Sequence, residues 1–124
     1  MESTGGCSLL RNAGKLVAVS WTQNADARAA DGNSREPWDS DAVSWSLLGA
    51  LVASYERFLT LEEETVALGA LAVACLLLAE VIDSDSLADW NDLPERTQAH
   101  VLAAINTAAH RVLHPPAESR YSSN

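Results

Sequence analysis

Apolar residues recur along most of this chain at the three- and four-residue spacing that places them on one face of an α-helix. This spacing predicts four helices: residues 8–19, a second from Asp39 or Ser40 to about Leu59, 61–82 and 93–113. Alanine and leucine dominate the apolar set, and this bias favours helix over sheet. The sequence therefore predicts a mostly α fold, a small bundle of three to four helices.

The segment 20–38 interrupts that helical spacing. It is the most polar part of the chain, and Asp31-Gly32 within it is a turn signal. We expect one insertion here, either a β-hairpin or an irregular loop that covers the core through Trp21 and Trp38. The chain as a whole is predicted to be a single helical domain with a disordered tail at each end: domain 8–113, tails 1–7 and 114–124.

Helix starts are predicted from capping residues. Asp39 or Ser40 can accept hydrogen bonds from the free amides at the start of the second helix. Thr60 followed by Glu63 has the spacing of a capping box, which predicts the start of the third helix.

The motif Trp90-Asn91-Asp92 is interpreted mainly as the start of the fourth helix. Asp92 stands at the expected N-cap position, and Pro94 falls in the first turn, where its missing amide costs nothing. Trp90 would then fold back onto the core. The alternative is a polar pocket in which Trp90 stacks against a ligand and Asn91 hydrogen-bonds to it.

The predicted third helix, 61–82, has apolar side chains on nearly all sides. Such a helix is either central in its domain or buried between subunits, so a homodimer is expected as one alternative. Its longest uncharged run, Thr65 to Ala79, is shorter than the roughly 20 residues that a membrane span requires. We therefore predict a buried helix and no membrane contact.

The formal net charge is −9, from 8 basic and 17 acidic residues, and between Glu80 and Glu95 there are six acids and no base. Direct binding of a nucleic acid is not expected, because it requires clustered lysine and arginine. A basic protein partner fits this charge, with Asp83, Asp85 and Asp89 as candidate contact residues.

Metal, cofactor and catalytic sites are not predicted. Asp83, Asp85 and Asp89 match three positions of a calcium loop, but Leu87, Ala88 and Pro94 occupy positions where a ligand or glycine is needed. His110 and His114 share a helix face, yet no third ligand is apparent nearby. No nucleophile motif or glycine-rich phosphate loop is present in the sequence.

Two cysteines, Cys7 and Cys75, do not make a disulfide framework, and the first residues do not form a signal peptide. Cys75 lies in an apolar run and is expected in the core, whereas Cys7 lies in the predicted tail. These features predict a cytoplasmic protein.

Several segments together resemble a family of small proteins of unknown function from high-GC bacteria and their phages. They are "WTQ", "ARAADG", "DAVSWSLLGAL" and "WNDLPERTQAHVLAAI", and the resemblance spans about residues 8–112. They carry the Trp-x-Gln, Arg…Asp-Gly, x-Gly-Ala-Leu and Trp-Asn-Asp motifs of that family. This chain has Ser46 where the family tends to carry cysteine, which puts any chemical role of that cysteine in doubt. The resemblance implies a mainly helical fold and no specific activity.

Three function hypotheses follow from these observations. The first is a non-enzymatic protein-binding or regulatory protein that uses the acidic 80–95 region or the polar 20–38 segment, for example a phage-related inhibitor of a basic surface. The second is a small-molecule-binding protein or enzyme with a tryptophan-lined pocket: Trp21, Gln23, Arg28, Trp45, Trp90 and Asn91. The third is a structural dimerisation module built on helix 61–82.

Overall fold

The computed structural model describes residues 2–114, with side chains from residue 5 onward, as five helices and one small sheet. The elements in chain order are α1 (Glu2–Val19), β1 (Ala27–Arg28), β2 (Ser34–Arg35), β3 (Ser44–Trp45), α2 (Leu47–Phe58), α3 (Glu64–Ile82), α4 (Leu87–Asn91) and α5 (Gln98–Leu113). The mostly α fold is therefore confirmed, and of the two alternatives for the insertion, a β-hairpin or an irregular loop, the hairpin forms. The predicted C-terminal tail lies outside the described residues from position 115 onward.

Helix α1 begins at Glu2, whereas the sequence predicted a start at Ser8. Two glycines in this first part of the helix permit close packing on α3. A Cβ at Gly5 would lie 3.3 Å from the Ala70 Cβ, and one at Gly6 would lie 3.1 Å from a Val73 methyl. Cys7, which was predicted in a tail, is buried in the core.

The central helix of the domain is α1 rather than α3. It packs against α5, α3 and α2, and its buried residues Leu9, Leu10, Ala13 and Val17 are at most 1% exposed. Because α1 occupies the centre, α3 needs to bury only one side. Of the two alternatives for helix 61–82, a central position in the domain is therefore wrong, and burial between subunits stays a prediction.

The polar insertion forms a three-stranded antiparallel sheet in the order β2-β1-β3. The hairpin between β1 and β2 turns at Asp31-Gly32, and Gly32 has the positive φ of +89° that favours glycine. Strand β3 pairs with the other side of β1, so that Ala27 lies opposite both Arg35 and Trp45.

The predicted caps of the second helix are wrong. Val43 donates its backbone N–H to the Arg28 carbonyl and Trp45 donates to the Ser20 carbonyl, so these residues belong to the sheet region. Helix α2 begins only at Leu47, where the buried Ser46 hydroxyl accepts from the Gly49 N–H at 3.0 Å.

The predicted Thr60-Glu63 capping box does not form. The Thr60 hydroxyl donates to the Arg57 carbonyl at 2.6 Å, so it completes the end of α2. Glu63 is the N-cap of α3 but makes no side-chain capping bond. The free carbonyls at the end of a helix need donors, and Thr60 supplies one to α2 instead of capping α3.

The predicted helix over 93–113 begins five residues later, at Gln98, and a separate short helix, α4, precedes it in a segment that was predicted to be a connection. Ser86 caps the short helix α4, and α5 begins after Thr97, whose hydroxyl accepts from the His100 N–H in a capping box. Asp92 caps a helix, but at the C-terminal end of α4, so its predicted N-cap role is wrong. The reciprocal bonds between Thr97 and His100 satisfy two amides, and they fix the N-cap of α5 at Thr97 rather than at Asp92.

Candidate functional site

Asn91 is the centre of a polar junction that joins the polar insertion, residues 20–38, to α4. Its side chain is 0% exposed. The Asn91 Oδ1 accepts from the Trp21 indole N–H at 2.7 Å and from the Leu47 backbone N–H at 3.0 Å. The Asn91 amide donates to the Thr22 carbonyl at 3.1 Å and to the Asp92 carboxylate at 3.0 Å. Its full hydrogen-bonding capacity is therefore used within the protein.

Gln23 and Asp92 extend this junction to the surface. The Gln23 amide donates to the backbone carbonyls of Asn91 and Leu93, at 2.9 and 2.8 Å. Asp92 accepts the backbone N–H of Asn24 at 2.8 Å. Asn24 has a φ of 64°, in the left-handed region that asparagine tolerates. The Trp-x-Gln and Trp-Asn-Asp motifs thus bind directly to each other across about 70 positions of sequence.

Arg28 stabilises the insertion itself. Its guanidinium donates to the Thr22 hydroxyl at 2.9 Å, to the Gly32 carbonyl at 2.8 Å and to the Gln23 carbonyl at 3.1 Å. The three acceptors belong to two separate loops, so the planar donor fork of arginine ties both loops to β1. The Arg…Asp-Gly motif therefore has a structural explanation.

Trp21 and Trp45 lie side by side through a β-bridge, and the Trp45 indole N–H donates to the Pro37 carbonyl at 3.0 Å. Next to them, the chain passes very close to α2. A Cβ at Gly49 would collide with the Asp26 carbonyl, which also accepts the Ser46 N–H at 3.0 Å. The x-Gly-Ala-Leu motif thus supplies a serine cap and a glycine for close backbone approach.

Trp90 packs against the hydrophobic core, as Trp21 and Trp45 also do. Its ring is partly exposed, and the Arg96 guanidinium lies over it, 3.9 Å from the ring centroid, as in a cation–π pair. The Arg96 side chain also donates to the Trp90 carbonyl at 3.0 Å. Trp90 and Arg96 therefore fix the turn between α4 and α5.

The six predicted pocket residues make internal contacts in this structure. Trp21, Gln23 and Asn91 meet, and Arg28 and Trp45 adjoin them, but their polar groups are paired with one another or with backbone. Within residues 5–114, no buried side-chain nitrogen or oxygen lacks a hydrogen-bond partner. A ligand at the junction would have to break internal bonds, and ligand binding by these residues remains an unsupported prediction.

A different surface, the outer face of α3, exposes large apolar side chains. Helix α3 buries Ala67, Ala70, Ala74 and Leu78 toward the domain. Leu68 is 48% exposed and Leu76 is 70% exposed on the other side. Gly69 also faces open space, since a Cβ added there would have no neighbouring atom within 4 Å. The buried side is mostly alanine, whereas two of the larger residues remain outside.

Helix α3 is also long and apolar enough to cross a membrane by length and composition. Its mean hydropathy is 2.4 over an 18-residue window, of which 22% is buried. The sequence-based prediction counted only the uncharged run between Thr65 and Ala79. One helix of this kind is weak evidence for a membrane span, because core helices of soluble proteins pass the same test.

Two clefts adjoin Leu76. One, with a volume of about 520 Å³, lies between α3, α2 and α4, and its apolar lining includes Leu48, Cys75, Leu76 and Leu87. The other, about 540 Å³, has Leu76 and Ala79 on one side and the acidic residues Glu80, Asp83 and Asp85 on the other. Desolvation by burial raises the pKa of the Cys75 thiol. Leu76 thus lies between an apolar cleft and an acidic one.

The three predicted partner-binding acids, Asp83, Asp85 and Asp89, are exposed. Asp83 ends α3 in the left-handed conformation, with a φ of 55°. Asp85 follows in the loop, and Asp89 lies in the first turn of α4. Among residues 2–114 no three histidines, cysteines or acids are grouped to hold a metal ion.

The sequence reasoning missed the exposed side of α3, although one signal for it was present. The small residues Ala67, Ala70 and Ala74 follow a three- and four-residue spacing, which marks a face for close helix packing. The high apolar content of the whole helix concealed that stripe, because periodicity in hydrophobicity alone carries little contrast there.

Comparison with known proteins gives a family and no activity. No curated protein and no solved structure matches the chain. Residues 7–111 match the model of a family of unknown function, DUF6197. The match begins within α1 and ends within α5, so it includes the polar junction and the outer face of α3. Because this region is most of its length, the chain belongs to the DUF6197 family.

Proposed function

We propose that this protein is a non-enzymatic protein-binding module whose contact surface is the outer face of α3. The observation that carries the proposal is the exposure of Leu76, 70%, on a helix where the exposed side also holds Leu68 and Ala72. These three residues are four apart and therefore form one ridge. Apolar side chains grouped on a surface and bordered by polar residues typically mark an interaction site.

The polar junction supports the same proposal indirectly. Trp21, Gln23 and Asn91 bond to each other and to backbone, which explains the Trp-x-Gln and Trp-Asn-Asp motifs without a ligand. The alternative of a small-molecule site or enzyme pocket there loses its main motivation. The sequence offered two contact regions, the polar 20–38 segment and the acidic 80–95 region. The proposed contact surface leaves out the first and consists of α3 and the acidic residues that follow it.

Finer features of the proposal rest on the sequence. We place the protein in the cytoplasm, and the resemblance to proteins of high-GC bacteria and their phages favours an inhibitor or regulator of a host protein. A structural dimerisation module is the second candidate, because a second copy could also cover Leu68 and Leu76. Light scattering over a dilution series separates the two candidates by mass.

Photo-crosslinking tests the contact surface. A photoreactive amino acid at Ala72, on the exposed ridge, is expected to give a discrete adduct with one partner protein in cells. The same amino acid at Ala103, an exposed position of α5, is the matched control and should not give that adduct. Leu76→Glu should abolish the Ala72 adduct. Equal adducts at both positions, or none at Ala72, would refute the proposed surface.

A further inference from the structure

We infer that the outer face of α3 binds an amphipathic helix of another protein that carries basic residues at both of its ends. This inference rests on the proposed function and adds the chemical class of the partner. It depends on three features of α3: its shape, its length and the distribution of charge around it.

The shape suits a helix laid along a groove. The ridge of Leu68, Ala72 and Leu76 follows α3, and the cleft of about 520 Å³ beside Leu76 continues it toward α2 and α4. Alanine and glycine between the leucines allow close approach of a second helix. Grooves of this kind take apolar side chains at three- and four-residue spacing from the bound helix.

The length sets the size of the partner. The 19 residues of α3 extend about 28 Å, since each residue of an α-helix rises 1.5 Å. A partner helix of roughly 18 to 20 residues would therefore cover the face from end to end.

The charge is acidic at both ends of the face. Glu62, Glu63 and Glu64 are exposed where α3 begins, and Glu80, Asp83 and Asp85 are exposed where it ends. Helix α3 itself contains no lysine or arginine. Within residues 2–114, the ion pair found at these ends is Glu80 with Arg111, at 3.8 Å. The apolar ridge is thus bracketed by exposed acidic residues at both ends, of which Glu80 is paired with Arg111.

This distribution argues against a second copy as the occupant. Two α3 helices packed lengthwise would bring acids against acids at both ends, whether the helices ran parallel or antiparallel. Like charges placed together across an interface oppose association, whereas opposite charges favour encounter and set the register. A helix with lysine or arginine at both ends complements the face in either direction.

A displayed library of helical peptides tests the inference. Peptides with leucine and alanine on one face and random residues at both ends are selected on the immobilised wild-type protein and counter-selected on Leu76→Glu. We expect enriched peptides to carry lysine or arginine at both ends. Enrichment of peptides with neutral or acidic ends would overturn the charge inference and leave the proposed surface intact. No enrichment over Leu76→Glu would overturn both.

Charge-reversal variants give the quantitative check. The double variant Glu62→Lys/Asp85→Lys changes one acid at each end, and it should weaken a selected peptide at least tenfold, as read by fluorescence anisotropy. The matched control Glu36→Lys/Asp41→Lys changes net charge equally at two exposed acids outside α3 and its ends. Equal weakening by both doubles would reduce the effect to net charge and overturn the inference.

Self-association and membrane binding are measured on the same samples. A dimer in light scattering that Leu76→Glu dissociates would identify a second copy as the occupant. Sedimentation with vesicles of neutral and anionic phospholipid, lost in Leu76→Glu, would identify a lipid surface. Either result overturns the inference. Circular dichroism of Leu76→Glu should match the wild type, since Leu76 is mostly exposed, and Ala72→Glu provides a second test of the ridge.

Discussion

The junction around Asn91 and the outer face of α3 differ in which side chains are buried and which are exposed. At the junction, polar groups are buried and each finds a partner, so that Asn91 is fully enclosed and makes four side-chain hydrogen bonds. On α3, large apolar groups such as Leu76 and Leu68 are left largely in solvent. The first region uses polarity to hold the fold, and the second leaves hydrophobic surface available for binding.

This contrast shows that residue type alone does not reveal which region serves function. Burying a polar group is favourable only when its hydrogen bonds are made, so a saturated polar cluster is evidence of a structural role. Exposing an apolar group to water is costly unless a partner covers it, so an exposed apolar face is evidence of an interaction site.

The largest expected effect is at Asn91. Replacing it, Asn91→Leu, leaves the Trp21 indole and the Leu47 amide without their acceptor and the Thr22 carbonyl without its donor. Each unsatisfied buried group costs about 1–3 kcal/mol, so unfolding free energy should fall by about 3–5 kcal/mol. Urea denaturation measures it, with exposed Asn106→Leu as control. A loss under about 1 kcal/mol would show that the junction is not a structural element.

Two leucines of α3 give the next test. Leu78→Ala removes a fully buried side chain and should lower the unfolding free energy by about 2–5 kcal/mol. Leu76→Ala, only two residues away but exposed, should change it by less than about 0.5 kcal/mol. Thermal and urea denaturation of both variants measure the difference. Comparable losses at the two positions would mean that the outer face of α3 is covered in solution.

Two glycines, one beside the polar junction and one on the outer face of α3, differ in the space around them. Gly49→Ala forces a Cβ into the Asp26 carbonyl and should destabilise by about 1–3 kcal/mol, since backbone cannot easily move there. Gly69→Ala adds a Cβ in open space within a helix, and it should stabilise by about 0.5–1 kcal/mol through helix propensity. Denaturation midpoints with opposite signs are the expected result. A destabilising Gly69→Ala would indicate a neighbour against that face.

The smallest effect is the pH dependence at Cys75, beside the α3 ridge. Desolvation raises the folded pKa of Cys75 above the ordinary thiol value, which the unfolded chain retains. The resulting contribution to stability is fully present below the unfolded pKa and is lost as pH rises through the folded pKa.

Alkylation by iodoacetamide, read at Cys75 by mass spectrometry, should therefore reach half its maximal rate at a higher pH in the folded protein than in the urea-unfolded chain. The urea-unfolded chain is the internal reference for the same thiol. Coincident pH profiles would contradict the partly buried position of Cys75 next to Leu76.

Several elements could be predicted from sequence because they depend on local contacts. The helical class, the C-terminal part of α3 and the hairpin turn at Asp31-Gly32 follow from spacing and turn residues. The helix starts at Asp39, Thr60 and Asp92 could not be predicted. The Asp39 carboxylate closes a turn with the Asp41 N–H, and the other two side chains bond to groups outside the predicted helices. Thr60 bonds the end of α2, and Asp92 accepts the Asn24 amide from about 68 positions away.

The sequence by itself determined the helical class, the acidic charge and the residues that form the polar motifs. Only the tertiary structure decided their roles, because Trp21 and Gln23 meet Asn91 through contacts that no local pattern encodes. It also decided that α1 takes the centre, since Gly5 and Gly6 let it pack closely on α3. With the centre occupied, α3 buries its alanines and turns Leu68 and Leu76 outward.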